Sequence, residues 1–348
     1  MKRKTVFVIG AGASAEVDLP TGETLKSKIS NMLNLRFDFH KQKTGDEVIV
    51  EALRLYVKNN QPSNQDTSPL IHEARHISDS ISHALSIDNF IDQHRDNEKI
   101  ALCGKLAIIK SILDAEKSSS LFFDPYKNKN TINFKSIEKT WYIDFFKFIT
   151  ENCSKDELKE RFQSITLIIF NYDRCVEHFL FHILQNFYKF SEIEATELIK
   201  HLNIYHPYGH VGFLPWWQQN ESMAYGQTPT AQQLLSLVQQ IKTFSEGTHP
   251  DSSDIQEIKD HMAKASHVIF LGFAFHKLNM QLIHPSQTTE ISNVVRCYTT
   301  TYETSEHNKE AIKEQVTSLY ASRHEVSVKM INKTCSGFFN EFWRSLAF

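Results

Sequence analysis

The sequence predicts an α/β fold: a Rossmann-like open parallel sheet flanked by helices, with an all-helical insertion. Three observations predict it. Short β-branched or aromatic runs recur, and most are nearly continuous in apolar residues, as strands buried on both faces read. Helix-periodic stretches follow several of these runs, the alternation of an open α/β sheet. Residues 40–160 break that alternation, with apolar residues at helical spacing and no convincing strand.

The first strand is TVFVI (5–9), which runs into GAGAS (10–14), with a helix expected over about 22–36. The insertion follows. Its helical patterns are EVIVEALRLYV (47–57), IALCGKLAIIKSIL (100–113) and SIEKTWYIDFFKFI (136–149), broken by loop-like stretches at 59–69 and 122–133. The second core strand, ITLIIF (165–170), leads into the helix CVEHFLFHILQNFY (175–188). Then come LNIYH (202–206), an irregular stretch over 209–230, HVIFL (267–271) and VVRCYTTT (294–301). The helix SEHNKEAIKEQVTSLY (305–320), the strand EVSVKMI (325–331) and an amphipathic helix over 336–348 complete the chain. This divides the protein into a core of residues 1–39 and 161–348 and a helical insertion of residues 40–160.

A chain of 348 residues exceeds one usual compact domain, in keeping with a core plus an insertion. The 41% hydrophobic and 23% charged content is ordinary for a globular protein. With 38 basic against 41 acidic residues the formal charge is −3, so direct nucleic-acid binding is not expected. No apolar run reaches membrane-spanning length, and the short run after MKRK reads as a strand rather than a signal peptide. The five cysteines stand at no metal-ligand spacing, which reads as free thiols in a cytoplasmic protein.

Four strand ends carry the candidate chemistry. Glycines in GAGAS let the backbone turn and let a phosphate approach the N–H groups near a helix start, or they simply join strand to helix. The dinucleotide-oxidoreductase pattern needs a second strand ending in an acid about 20 residues on, and residues 30–40 show none. The Walker loop needs Gly-Lys-Ser/Thr, and no lysine stands near GAGAS. The second core strand ends in Asn171-Tyr172-Asp173-Arg174, whose Asn171 or Asp173 also suits a helix cap. The third ends in IYHPYGHVG (204–212), with His206, Tyr208 and His210 around Gly209; a histidine there has the pKa of a general base, or is a surface histidine in a turn. The fourth ends at Gly272 in VIFLGFAFHKLN (268–279).

GAGAS with Leu19-Pro20, FNYDRCVE and LGFAF resemble the nucleotide-binding motifs of the sirtuins. Together with LPTG and SIDNFID (86–92) they look closest to the sirtuin-like domains of bacterial antiphage defence proteins. The resemblance implies NAD as substrate and hydrolysis of its nicotinamide–ribose bond. It implies that Asn171 holds the nicotinamide ribose and the attacking water, and that Asp173 shapes the nicotinamide pocket. Gly10, Ala11, Gly12, Ala13 and Ser14 would hold the pyrophosphate, with Pro20, Thr21, Gly272 and Phe273 completing the cofactor site. The family usually places the catalytic histidine immediately before a glycine. Here Tyr208 precedes Gly209, so His206 is the first candidate, with His210 as the alternative and Tyr208 in the usual place. Sirtuin deacylases also carry a zinc held by two close cysteine pairs, which this chain lacks, so water is the expected acceptor rather than acyl-lysine. An antiphage effector of this kind implies self-assembly into a homo-oligomer or control by a partner such as a HerA-like ATPase. A module that senses NAD or ADP-ribose without turnover, and a lysine deacylase, are the alternatives.

HEARH (72–76) matches the zinc motif His-Glu-x-x-His, which on a helix sets two histidines one turn apart. Its extension fails at Asp79 and Ser82, Glu98 is the remaining third-ligand candidate, and Arg75 puts a positive charge beside the metal position. A solvated helix face is the preferred reading, and no metal is expected.

Overall fold

A computed structural model describes residues 3–39, 41–60, 63–124, 131–218, 222–243, 246, 253–286 and 294–346. The loop-like stretches at 59–69, 122–133 and 209–230, and the end of the 336–348 helix, lie partly outside them. The chain folds into two compact units. One comprises Met1–Asp18, Ser120–Pro207 and Gly247–Phe348; the other comprises Leu19–Ser119 and Tyr208–Glu246.

The first unit is the α/β body. Its strands are β1 (Thr5–Ile9), β4 (Ile165–Ile169), β5 (Asn203–Tyr205), β6 (His267–Leu271), β7 (Val294–Thr300) and β8 (Glu325–Ile331). They form one sheet in the order β5-β4-β1-β6-β7-β8, and every neighbouring pair is parallel. Counted within this sheet alone, the order is 3-2-1-4-5-6, the doubly wound arrangement. β1, β4 and β6 are buried at all five positions, which is why they read as unbroken apolar runs.

Register shows how both faces are covered. Phe7, Ile269 and Tyr298 lie side by side across β1, β6 and β7 and so share a face. Phe7 packs edge-on against Phe145 and Phe148 of the Trp141–Thr150 helix, at centroid distances of 5.1 and 5.9 Å. Tyr298 packs on Phe342 of the Cys335–Leu346 helix at 5.3 Å, so this amphipathic helix lies on the sheet. Thr166, in register with Val6 on the opposite face, meets His261 of the Ser253–Lys264 helix at 3.0 Å.

Among its described residues the second unit is mainly helical. A two-stranded antiparallel ribbon, β2 (Arg36–Asp38) with β3 (Lys41–Thr44), stands where no strand is expected. Apart from Phe37 both strands are polar, and Arg36, Asp38, Lys41, Lys43 and Thr44 are exposed, so they lack the apolar signal of a core strand. β2 does end in an acid, Asp38, but the ribbon is not part of the parallel sheet. The unit's helices include Gly22–Leu33, Glu47–Asn60, Ser68–Ser80, Ile87–Gln93 and Glu98–Ser118. The division of the chain also differs from boundaries at 40 and 160. The Trp141–Thr150 helix belongs with the sheet because its aromatic face covers Phe7, whereas residues 19–39 and 208–246 belong with the helices. Among the described residues no helix is long and apolar enough to cross a membrane.

Candidate active site

The carboxyl edge of the parallel sheet brings three of the four candidate strand ends into the first unit in full. After β1 the chain turns at Gly10 directly into a one-turn helix, Ala11–Ser14, earlier than the expected 22–36 helix. A Cβ on Gly10 would lie 2.5 Å from the Gly272 carbonyl oxygen, and one on Gly12 would lie 2.9 Å from the Gly272 Cα. Gly272 itself has φ +56°, and a Cβ there would lie 2.2 Å from the Ala13 nitrogen. The Gly12 N–H donates to the Gly272 carbonyl at 3.0 Å. These glycines are therefore required by the contact of two loops, at the point where the order of the strands reverses. The Trp141 indole N–H donates to the Ala13 carbonyl at 2.8 Å and the Gly272 N–H donates to the Thr300 hydroxyl at 2.9 Å, fixing both loops. Phe273 is 6% exposed and packs on Phe170, Phe270 and Phe275.

At the end of β4, Asn171 and Asp173 are both buried. The Asn171 amide donates to the Ser14 hydroxyl at 2.8 Å, which ties the end of β4 to the loop after its neighbour β1. The Ser14 hydroxyl also stands near the Asp173 carboxyl, whose pKa it acts to lower. With its amide nitrogen on Ser14, Asn171 has its Oδ1 turned away from Ser14. Asp173 also accepts from the Cys175 N–H at 3.1 Å, two residues on, in an Asx-type turn that leads into the Cys175–Tyr188 helix. Burial nevertheless raises the Asp173 pKa, against the lowering effect of its bonds to Cys175 and Ser14. The fully buried Tyr142 phenol stands beside Cys175 and Asp173, and burial pushes its pKa well up.

His206 follows β5 and points back at this turn. Its Nδ1 lies 3.1 Å from the Asn171 carbonyl oxygen and its Nε2 lies 2.7 Å from Glu177 Oε1. The Asn171 carbonyl oxygen only accepts, so Nδ1 donates to it, and Nε2 pairs with the Glu177 carboxyl. Burial pulls its pKa down, but the charge and hydrogen bond of Glu177, the Asn171 carbonyl and the charge of Asp173 outweigh it and leave the pKa raised. Both ring nitrogens are thus engaged by the protein.

The other expected residues are in the second unit. Pro20 is buried, and Thr21 precedes the Gly22–Leu33 helix without capping it through its side chain. Tyr208 and His210 also belong there. Burial first, then the charges of Asp88 and Asp92, push the Tyr208 pKa up. Gly209, at φ +74°, lets the backbone lie against Ile241 in an isolated bridge; a Cβ would fall 1.7 Å from the Gln240 carbonyl oxygen. Of the three residues around that glycine, His206 is thus the one held against Asn171.

HEARH lies on the Ser68–Ser80 helix, where Glu73 sits between its histidines, 3.6 Å from His72 and 3.2 Å from His76. His72 is largely exposed, and His76 packs on Phe90 and His94. Among the described residues no group of three His, Cys, Asp or Glu side chains is placed to hold a metal ion.

Sequence reading passed over Glu177 and the buried Tyr142. Glu177 carried one signal, an acid one helical turn beyond Asp173. No protein-family model matches the chain. No curated protein matches it either.

Proposed function

We propose that the protein hydrolyses the nicotinamide–ribose bond of NAD, releasing nicotinamide and ADP-ribose. The observation that carries this reading is the buried Asn171–Ser14 bond, which sets a carboxamide of fixed orientation beside the glycine loop at the carboxyl edge of a doubly wound sheet. Ligands of such sheets bind at that edge. Bond cleavage builds positive charge on the ribose, as in glycoside hydrolysis. Nicotinamide leaves as a neutral ring and needs no strong acid. Asn171 Oδ1 accepts a hydrogen bond from a ribose hydroxyl or from the attacking water, and so orients them without adding charge. Antiphage action in the cytoplasm, self-assembly and control by a HerA-like ATPase belong to the same proposal and rest on the sirtuin resemblance.

One observation favours a second reading, an NAD or ADP-ribose sensor without turnover: the His206 ring is committed at both nitrogens. Incubation of the purified protein with NAD, with nicotinamide and ADP-ribose separated by chromatography and binding followed by calorimetry, distinguishes the two. Hydrolysis predicts nicotinamide release that falls about 100-fold or more in Asn171→Ala. Binding without release supports the sensor. Full turnover by a folded Asn171→Ala variant overturns the assignment of Asn171.

A further inference from the structure

We propose that Glu177 is a positioning residue: through His206 it fixes the Asn171 main chain, and with it the angle at which the Asn171 carboxamide meets the reacting ribose. The proposal deepens the NAD-cleavage reading and rests on it. Asn171 stands on the turn between β4 and the Cys175–Tyr188 helix, and Glu177 is in the first turn of that helix. His206 comes from outside both elements, at the end of β5. Its two ring nitrogens reach the Asn171 carbonyl oxygen at 3.1 Å and the Glu177 carboxyl at 2.7 Å, which closes a ring across the turn. The side chains of the pair are 7% and 12% exposed, so water does little to screen it.

The charge and hydrogen bond of Glu177, with the charge of Asp173, favour the protonated His206 ring. Asn171 is thereby held twice: its side chain by Ser14, its main chain by His206. Loss of the second hold frees the turn while leaving the Asn171 side chain in place chemically. A misplacement of about 1 Å in an orienting group can cost about 100-fold in rate.

The test uses full-length protein carrying Glu177→Ala, Glu177→Gln, His206→Ala or Glu177→Ala with His206→Ala. Nicotinamide release gives kcat and KM, and hydrogen exchange is followed at the Tyr172–Cys175 amides. Glu177→Ala is expected to lower kcat about 30- to 100-fold with KM changed less than about threefold, the mark of an interaction that matters in the transition state. Glu177→Gln is expected to keep kcat within about fivefold, because its amide can donate to a neutral His206 whose Nδ1–H still reaches Asn171. The double variant should match His206→Ala alone, since both residues act through one link. Where the alanine variant does not fold, Glu177→Met keeps the volume, removes the acceptor and should behave as the alanine is expected to. Unchanged kcat in a folded Glu177→Ala or Glu177→Met variant, multiplicative losses in the double variant, or a rise in KM alone overturns the proposal. If the wild-type protein releases no nicotinamide, the NAD reading fails and exchange decides the clamp. Faster exchange in both single alanine variants supports it; unchanged exchange overturns it.

Discussion

Gly10, Gly12 and Gly272 show how one residue type answers to two constraints. In sequence, the glycines of the first loop suit a turn that admits a phosphate. In the structure, their missing side chains make room for the backbone of the other loop, with Gly272 in the left-handed region. Gly272→Ala puts a Cβ 2.2 Å from the Ala13 nitrogen at φ +56°. The expected result is a loss of about 2–4 kcal/mol in denaturant unfolding. A loss below about 0.5 kcal/mol would mean that the two loops do not meet as described. Asn171 stands out in the sequence because it ends an apolar run, but its partners do not. Ser14 lies on another strand end and His206 on a third, and no local pattern records that these ends are neighbours.

At the level of elements, the core strands were legible from their apolar continuity, and β6 and β8 have the bounds that their runs suggest. The helix Cys175–Tyr188 likewise matches its periodic stretch. The β2–β3 ribbon escaped notice because RFD and KQKT carry no apolar face, and such a ribbon is held by backbone pairing. The Trp141–Thr150 helix was legible as a helix but not as part of the sheet unit, since periodicity says which face is buried and not what covers it. Its contact with β1 is testable. Phe7 is fully buried between Phe145 and Phe148, so Phe7→Ala is expected to cost about 3–5 kcal/mol. Urea unfolding followed by circular dichroism measures this; a cost under about 1 kcal/mol would exclude the packing.

For the molecule as a whole, buried histidines make stability depend on pH. His178 is fully enclosed and bonded to the Leu121 carbonyl, and its neighbour His182 is pushed down to about 4 by burial. Their folded pKa values lie below the ordinary 6.5, so the unfolded chain binds more protons as pH falls. Stability from this pair is therefore complete above pH 6.5 and declines as pH drops towards 4, by at most about 3 kcal/mol for His182. His206 acts in the opposite sense. Its pKa is raised, so its contribution is complete below 6.5 and is lost as pH rises through the folded value. The unfolding midpoint, measured from pH 4.5 to 8.5, should fall on both sides of a maximum. His182→Phe should flatten the acid side, and an unchanged acid side in that variant would exclude His182 as its cause.

The sequence by itself determined the local elements: which runs are strands buried on both faces, which stretches are amphipathic helices, and that glycine, asparagine and histidine end successive strands. These follow from the period of side-chain direction along the chain, which is a short-range property. Tertiary structure alone decided the strand order, the burial of Asn171 against Ser14, and the choice among His206, Tyr208 and His210 as the residue held against Asn171. It also set a partner against each ring nitrogen of His206 and raised its pKa, because a pKa is set by the acceptors and charges that folding brings around a group. Parallel strands must be joined by long crossovers, so the residues that meet at their carboxyl edge are far apart in the chain.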